Sequence, residues 1–324
     1  MLPIKRIVAP VDFSESSVRA ARAAMAWAAR SGSELHLLHA IPDAVLDRTY
    51  AEFAQYSPST LVDDWTRGTR DALDALAARL SASPGRLRTA VRLGQPAAEI
   101  AAYAAEQEAE LIIMSSTGHG AVARLLLGSV AEKVVRDAGC PVLIIPGDVN
   151  VTRWSEHREG LVKSMTLRTI VVLTDFSDLS RHAMTYAHDV AAHLGAALHV
   201  LHVVPPSGDP QLAYVPPPAA QVEEARWRAE RWLMRAVERF TDAHGIVTAT
   251  RIGKPAVGAV AYADEVSADL MVLATHGRGA IDRLLLGSVA QNVLRQAHCP
   301  ILTVNQTWCD ANATSAPATS HETV

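Results

Sequence analysis

Apolar residues along this chain fall into short blocks, separated by stretches in which they recur every three or four positions. Arg6–Val11 (RIVAPV) and Leu35–Ile41 (LHLLHAI) are blocks of the first kind. Near-continuous Val, Ile and Leu over so few residues predicts strands covered on both faces. Between them Val18, Ala21, Met25 and Ala28 recur at helical spacing, with Ser14 the expected N-cap and Gly32 the expected stop. RTAVRLG, AELIIMSS (Ala109–Ser116) and CPVLIIP add three predicted strands, and the helix expected after Gly128 puts Val130, Val134 and Ala138 on one face. The resulting order, β-α-β-α-β-α-β-α-β, implies a parallel sheet with helices on both sides.

The whole pattern then returns. IVAPVDFS (Ile7–Ser14) recurs as IVVLTDFS (Ile170–Ser177), and LHLLHAI as LHVLHVV (Leu198–Val204), both at an offset of 163. RLGQPA (Arg92–Ala97) recurs as RIGKPA (Arg251–Ala256) at 159, so the second copy lacks four residues between its second and third strands. Such a length change belongs to a surface loop or helix end. Arg124–Ile145 and Arg283–Val304 share 14 identities in 22 gapless positions. A period this long marks a duplicated domain, since solenoid units repeat every ~20–50 residues. The expected organisation is a domain over 1–146, a polar linker over 147–166, a second domain over 167–305 and a disordered, small-residue tail over 306–324. Pro-rich 203–220 is expected to form a long loop able to cover a site.

Composition narrows the function classes. Among 324 residues, 49% are hydrophobic and 20% charged, with net charge −4 and no dense Lys/Arg block, so a nucleic-acid surface is not suggested. The start turns polar too early for a secretory signal, and no uncharged apolar run approaches the ~18–20 residues of a membrane helix. Cys140 and Cys299 are equivalent in the two repeats and Cys309 lies in the tail. An odd count without close pairs argues against a disulfide framework or a zinc site, and the expected location is the cytoplasm. Cys140 and Cys299 are expected as buried small hydrophobes, and Trp65, Trp227 and Trp232 as covers of core or helix seams. HLLH (His36–His39) and HVLH (His199–His202) look like metal pairs, but residues three apart on a strand face opposite sides.

If the strand order is 3-2-1-4-5, a ligand crevice lies beyond the first and fourth strands. Asp12 ends the first and Gly118 follows the fourth; Asp175 and Gly277 repeat the arrangement. Nine residues separate Gly118 from Gly128-Ser129, and nine separate Gly277 from Gly287-Ser288. Glycines admit positive φ and close backbone approach, and a serine where a helix begins, beside free N–H groups, suits an anion such as phosphate. The competing reading is that the glycines only make turns and the serines only cap helices. GHGAVA (Gly118–Ala123) matches a dinucleotide fingerprint but follows the wrong strand, no GxxxxGK[ST] occurs, and nothing resembles a Ser-His-Asp set, so no catalytic residue is assigned.

On these residues each half, over roughly 3–146 and 166–305, resembles a universal stress protein domain, with its G-x-x-G, nine residues, G-S/T signature. The resemblance implies a tandem member with two doubly wound, Rossmann-like five-stranded domains paired through their last strands, where CPVLIIP and CPILTVN would meet edge to edge. It implies that ATP, with Mg²⁺, binds in one or both crevices. Asp12 and Asp175, with the backbone at Ala40 and Val203, would meet adenine. Gly118, Gly128 and Ser129, followed by Val130, would hold phosphates, as would Gly277, Gly287 and Ser288, followed by Val289. The signature's first glycine is Ser115 in one half and Ala274 in the other; both are small, but neither takes positive φ cheaply. The second half keeps His-Gly-Arg, so Arg278 is expected to reach a phosphate, where the first half has His119; the second crevice is the favoured one. The implied function is stress-response regulation through ATP, with at most slow hydrolysis and with a homodimer or unidentified protein as further partner. The alternatives are a partner-binding module whose crevices take no nucleotide, and a nucleotidyl transferase on a related fold.

Overall fold

The computed structural model describes residues 4–43, 58–80, 86–118, 127–147, 156–158, 161–163, 167–205, 219–240, 245–277 and 286–312. The first half runs β1 (Arg6–Pro10), α1 (Glu15–Ser31), β2 (Glu34–Ile41), α2 (Pro58–Leu80), β3 (Leu87–Leu93), α3 (Pro96–Glu106), β4 (Leu111–Ser115), α4 (Ser129–Asp137) and β5 (Val142–Ile145). The second runs β8 (Thr169–Leu173), α5 (Asp178–Leu194), β9 (Ala197–Val204), α6 (Ala219–Val237), β10 (Ile246–Ile252), α7 (Pro255–Glu265), β11 (Leu270–Ala274), α8 (Ser288–Gln296) and β12 (Ile301–Val304). Between them β6 (Glu156–Arg158) and β7 (Leu161–Lys163) pair antiparallel, so the segment expected to be a plain linker carries a small ladder of its own. The expected cover, 203–220, contributes its ends to β9 and α6, while 206–218 lie outside the described residues.

One sheet joins both halves, in the order β10-β9-β8-β11-β12-β5-β4-β1-β2-β3. Each half therefore has the expected 3-2-1-4-5 order of parallel strands. The junction is antiparallel, with Ile301, Leu302 and Thr303 of β12 opposite Ile144, Leu143 and Val142 of β5. Four-residue β5 and β12 are buried along their whole length, as blocks such as VLII require. Two apolar layers enclose the sheet. One packs α1, α2, α5 and α6 on one face; the other packs α3, α4, α7 and α8 on the opposite face. Both layers run through the two halves without a break.

Local signals set the helix ends. Ser14 caps α1 by accepting from the Ser17 amide, and Gly32 ends it in the left-handed region at φ 72°. Ser177 and Gly195 do the same for α5.

Two expectations need correction. The tail does not lose structure at residue 306: α9 (Gln306–Asn312) follows β12, because Asn305 Oδ1 accepts the Trp308 amide at 2.9 Å and buries Cys309 behind it. Trp308 stands edge-on to Tyr186, with ring centres 5.5 Å apart. The three tryptophans expected over core or helix seams are only partly covered and none is a buried core residue. Trp65, Trp227 and Trp232 are 40%, 58% and 41% exposed. Trp227 is backed by Arg231, 4.7 Å from its ring centre, and Trp232 meets Phe176 edge-on at 5.4 Å.

Candidate functional site

Asp12 follows β1 and is drawn into the start of α1. Its Oδ1 accepts the Ser14 amide at 3.0 Å and the Ser14 hydroxyl at 2.5 Å. Its Oδ2 faces Gly118, where a Cβ would stand only 2.4 Å away. The Gly128 amide donates to the Ser116 carbonyl at 2.7 Å. The Ser16 and Ser115 hydroxyls both donate to the Thr117 carbonyl at 2.8 Å. The turn after β1, the loop after β4 and the start of α4 thus close upon one another. The second half repeats this: Ser177 binds Asp175 through amide and hydroxyl, Asp175 Oδ2 lies 2.4 Å from a Cβ on Gly277, and the Gly287 amide donates to Thr275 at 2.9 Å.

These contacts correct the expected role of the glycines. Gly118, Gly128, Gly277 and Gly287 do not occupy left-handed φ. What crowds a side chain is close approach: the aspartate at the first glycine of each pair, where something would have to shift, and the Ser116 or Thr275 carbonyl, a tight 3.2 and 3.0 Å from a Cβ, at the second. Ser115 and Ala274 end strands β4 and β11, so the backbone there is extended and the penalty expected for lacking glycine does not arise.

The helix starts differ in kind. α1 and α5 are capped by serine hydroxyls. α4 and α8 have Gly128 and Gly287 at the N-cap, with no side-chain cap, and Ser129 and Ser288 are the first helical residues rather than the caps. The first-turn amides of α4 and α8 thus have no capping side chain, and that end of a helix attracts anions. Ala40 and Val203 lie near the ends of β2 and β9, next to the β1 and β8 strands that lead to the aspartates. Val130 is half-buried and Val289 exposed. Arg278 and His119 lie outside the described residues.

The histidine pairs split as the strand period requires. His36 and His199 reach Tyr103 and Tyr262 on one face, at 2.9 and 2.8 Å. His39 and His202 turn to the other and hold the Val11 and Thr174 carbonyls at 2.6 and 2.7 Å. Burial holds the His36 and His199 imidazoles below their ordinary pKa. Among the described residues no three His, Cys, Asp or Glu side chains come together as a metal would need. Cys140 and Cys299 are buried as expected, and burial pushes their thiols up to about 12.

One pair of residues escaped the sequence reading. Phe13 and Phe176, next to the two aspartates, take left-handed φ of 65° and 63°, which is strained for a bulky side chain. Each ring rests on a histidine, Phe13 on His39 at 4.9 Å and Phe176 on His202 at 4.6 Å. The available signal was the joint recurrence of Asp-Phe-Ser and Leu-His-x-Leu-His.

Comparison with known proteins gives one answer. The family model "Universal stress protein family" matches residues 3–146 and 166–305. A universal stress protein of Mycobacterium tuberculosis is 35% identical over 201 residues, 61% of this chain, and the match spans 63% of that relative's length. Another, from Mycolicibacterium smegmatis, is 27% identical over 309 residues, covering 92% of this chain and 96% of the relative. The crystal structure of a universal stress protein from Archaeoglobus fulgidus superposes with TM-score 0.57 at 22% identity, covering 93% of this chain and 96% of that one, a likeness of fold.

Proposed function

The chain belongs to the universal stress protein family, and from that premise we propose that it is a stress-response regulator that binds ATP, with Mg²⁺, in one or both of its crevices. The observation that carries the reading is the uncapped start of α4 and α8, set against the Asp12–Gly118 and Asp175–Gly277 contacts. Each crevice then offers a carboxylate and strand-end backbone for a base, and first-turn amides with a serine hydroxyl for phosphates. Among the described residues those present fit such a ligand: Asp12 and the backbone at Ala40 on the base, Gly118, Gly128, Ser129 and Val130 on the phosphates, with Asp175, Val203, Gly277, Gly287, Ser288 and Val289 as their counterparts. Mg²⁺ would arrive on the phosphates and screen their charge. The proposal assigns no catalytic residue and expects hydrolysis to be slow at most.

A second reading has one observation in its favour. The glycines are already demanded by packing against Asp12, Asp175 and backbone carbonyls, which suits a partner-binding module without nucleotide. The test is to purify the chain without added nucleotide, denature it and resolve the supernatant by ion exchange. About one or two equivalents of adenine nucleotide, or a thermal shift with millimolar Mg·ATP that Asp175→Ala with Gly277→Val diminishes, supports the ATP reading. A blank trace with no shift favours the module.

A further inference from the structure

We infer that the exposed face of α6 is a docking surface for a second copy of this chain, the two α6 helices lying antiparallel across a two-fold axis. Trp227 and Met234 are 58% and 62% exposed, more than any other large hydrophobic side chain among the described residues. They stand seven positions apart on one helix with Arg231 between them, so the three share a stripe. The buried residues of α6, Ala229 and Leu233, both belong to its second half. Residues 219–228, about 15 Å of helix, include no buried side chain, with only Val222 and Ala225 partly covered. So short a length of helix is marginal in water without a neighbour. The duplicated first half supplies a contrast. Among the described residues of α2 the exposed positions carry Asp63, Asp64, Arg67, Arg70, Asp71 and Asp74, and Trp65 is the one exposed large apolar residue.

The charges along the stripe say what covers it. Glu223 and Glu224 precede Trp227, and Arg231 and Arg235 follow it. The two glutamates meet Arg226 and Arg228 of their own helix at 3.9 and 2.8 Å, in exposed pairs that are worth little. Among the described residues Arg231 and Arg235 meet no carboxylate, and Arg231 lies over the Trp227 ring. An acidic end, an aromatic and a basic end complement themselves in one orientation. Antiparallel helices centred on Ala229 set Glu223 against Arg235 of the second copy and Trp227 against its Arg231, and the two-fold axis repeats both contacts. Parallel helices would instead oppose Glu223 to Glu223 and Arg235 to Arg235, like charge to like. The junction between the halves offers a second copy no such seat, since β5 and β12 already pair with each other inside the chain.

The test is sedimentation velocity on the full chain from about 1 to 100 µM, the range in which a small interface associates. A species of twice the chain mass should appear, half-formed near about 10 µM. Glu223→Arg and Arg235→Glu should each weaken association about 10-fold or more, because like charges then face each other across the axis. Both positions are exposed, so each variant should melt within roughly 2 °C of the parent. Mixed in equal amounts, the two variants should associate to within about 3-fold of the parent, since each supplies the charge the other lacks. That rescue cannot arise within one helix, where positions 223 and 235 lie about 18 Å apart. A chain that stays monomeric throughout overturns the inference and leaves the stripe to the chain's own 206–218 or to another protein. A dimer that neither charge variant weakens overturns it too, as does a loss that mixing fails to restore.

Discussion

Burial of His36 against Tyr103 ties a single side chain to the pH dependence of stability. Its imidazole is 2% exposed, and burial, with lesser contributions from Arg88 and Arg6, holds its pKa below the ordinary 6.5 against the opposing pull of Glu34. His199 is lowered by burial as well, and so is His182, where Arg239 and Arg181 add to the effect. A group with a depressed folded pKa stays neutral in the fold while the unfolded chain takes up a proton near 6.5. The unfolded state therefore binds more protons below that value, and stability declines as pH falls through it. Calorimetric melting between pH 7.5 and 5.5 should show this decline, with a shallower slope in His36→Gln. Identical slopes would show that His36 is not one of its sources. The histidine pairs were readable in the sequence because strand period alone decides which face each takes. The left-handed φ of Phe13 and Phe176 was not, since it depends on how the turn after each first strand closes.

Helix caps show how closely an element's ends follow sequence, and where they slip. Ser14 and Gly32 were identifiable because a hydroxyl residue before an apolar period and a glycine after it have few other uses. The helix expected after Gly128 does begin at Ser129, but the competing reading of Ser129 as its cap fails, because glycine also serves as an N-cap and the pair gives no sequence signal to choose between them. The difference is measurable. Ser14→Ala removes a hydroxyl that accepts from the Ser17 amide and should cost about 1 kcal/mol in denaturant unfolding. Ser129→Ala removes no cap, so it should change stability by less than about 0.5 kcal/mol yet weaken Mg·ATP binding. The opposite ranking would return Ser129 to a capping role. α9 went unread for a different reason: seven helical residues were averaged into a long small-residue tail, although Asn305, Trp308 and Cys309 mark a cap and an apolar face.

At the scale of the molecule the halves are fastened more firmly on one side than repetition alone would give. The Asn305 amide, in the second half, donates to the Val135, Arg136 and Ala138 carbonyls at 3.0, 3.3 and 2.8 Å and so finishes α4 of the first. The equivalent residue of the first half is Pro146, which has no such donor. Asn305→Ala strands those carbonyls in a buried setting and should cost about 1–3 kcal/mol. Because both apolar layers cross the junction, the variant should still melt in one transition, at lower temperature. Two resolved transitions would show instead that the halves fold independently. Strand order and pairing were legible at this scale because each block of Val, Ile and Leu has one place in a doubly wound sheet.

The antiparallel meeting of β5 and β12 also fixes a compass direction for each half. Strand carboxyl ends, where the Asp–Gly contacts lie, point one way in the first half and the reverse way in the second. The two mouths therefore look toward opposite poles of the molecule, and a compact protein docked over one is turned away from the other. Whatever reads the two mouths does so as two separate audiences, or else must reach around the whole sheet.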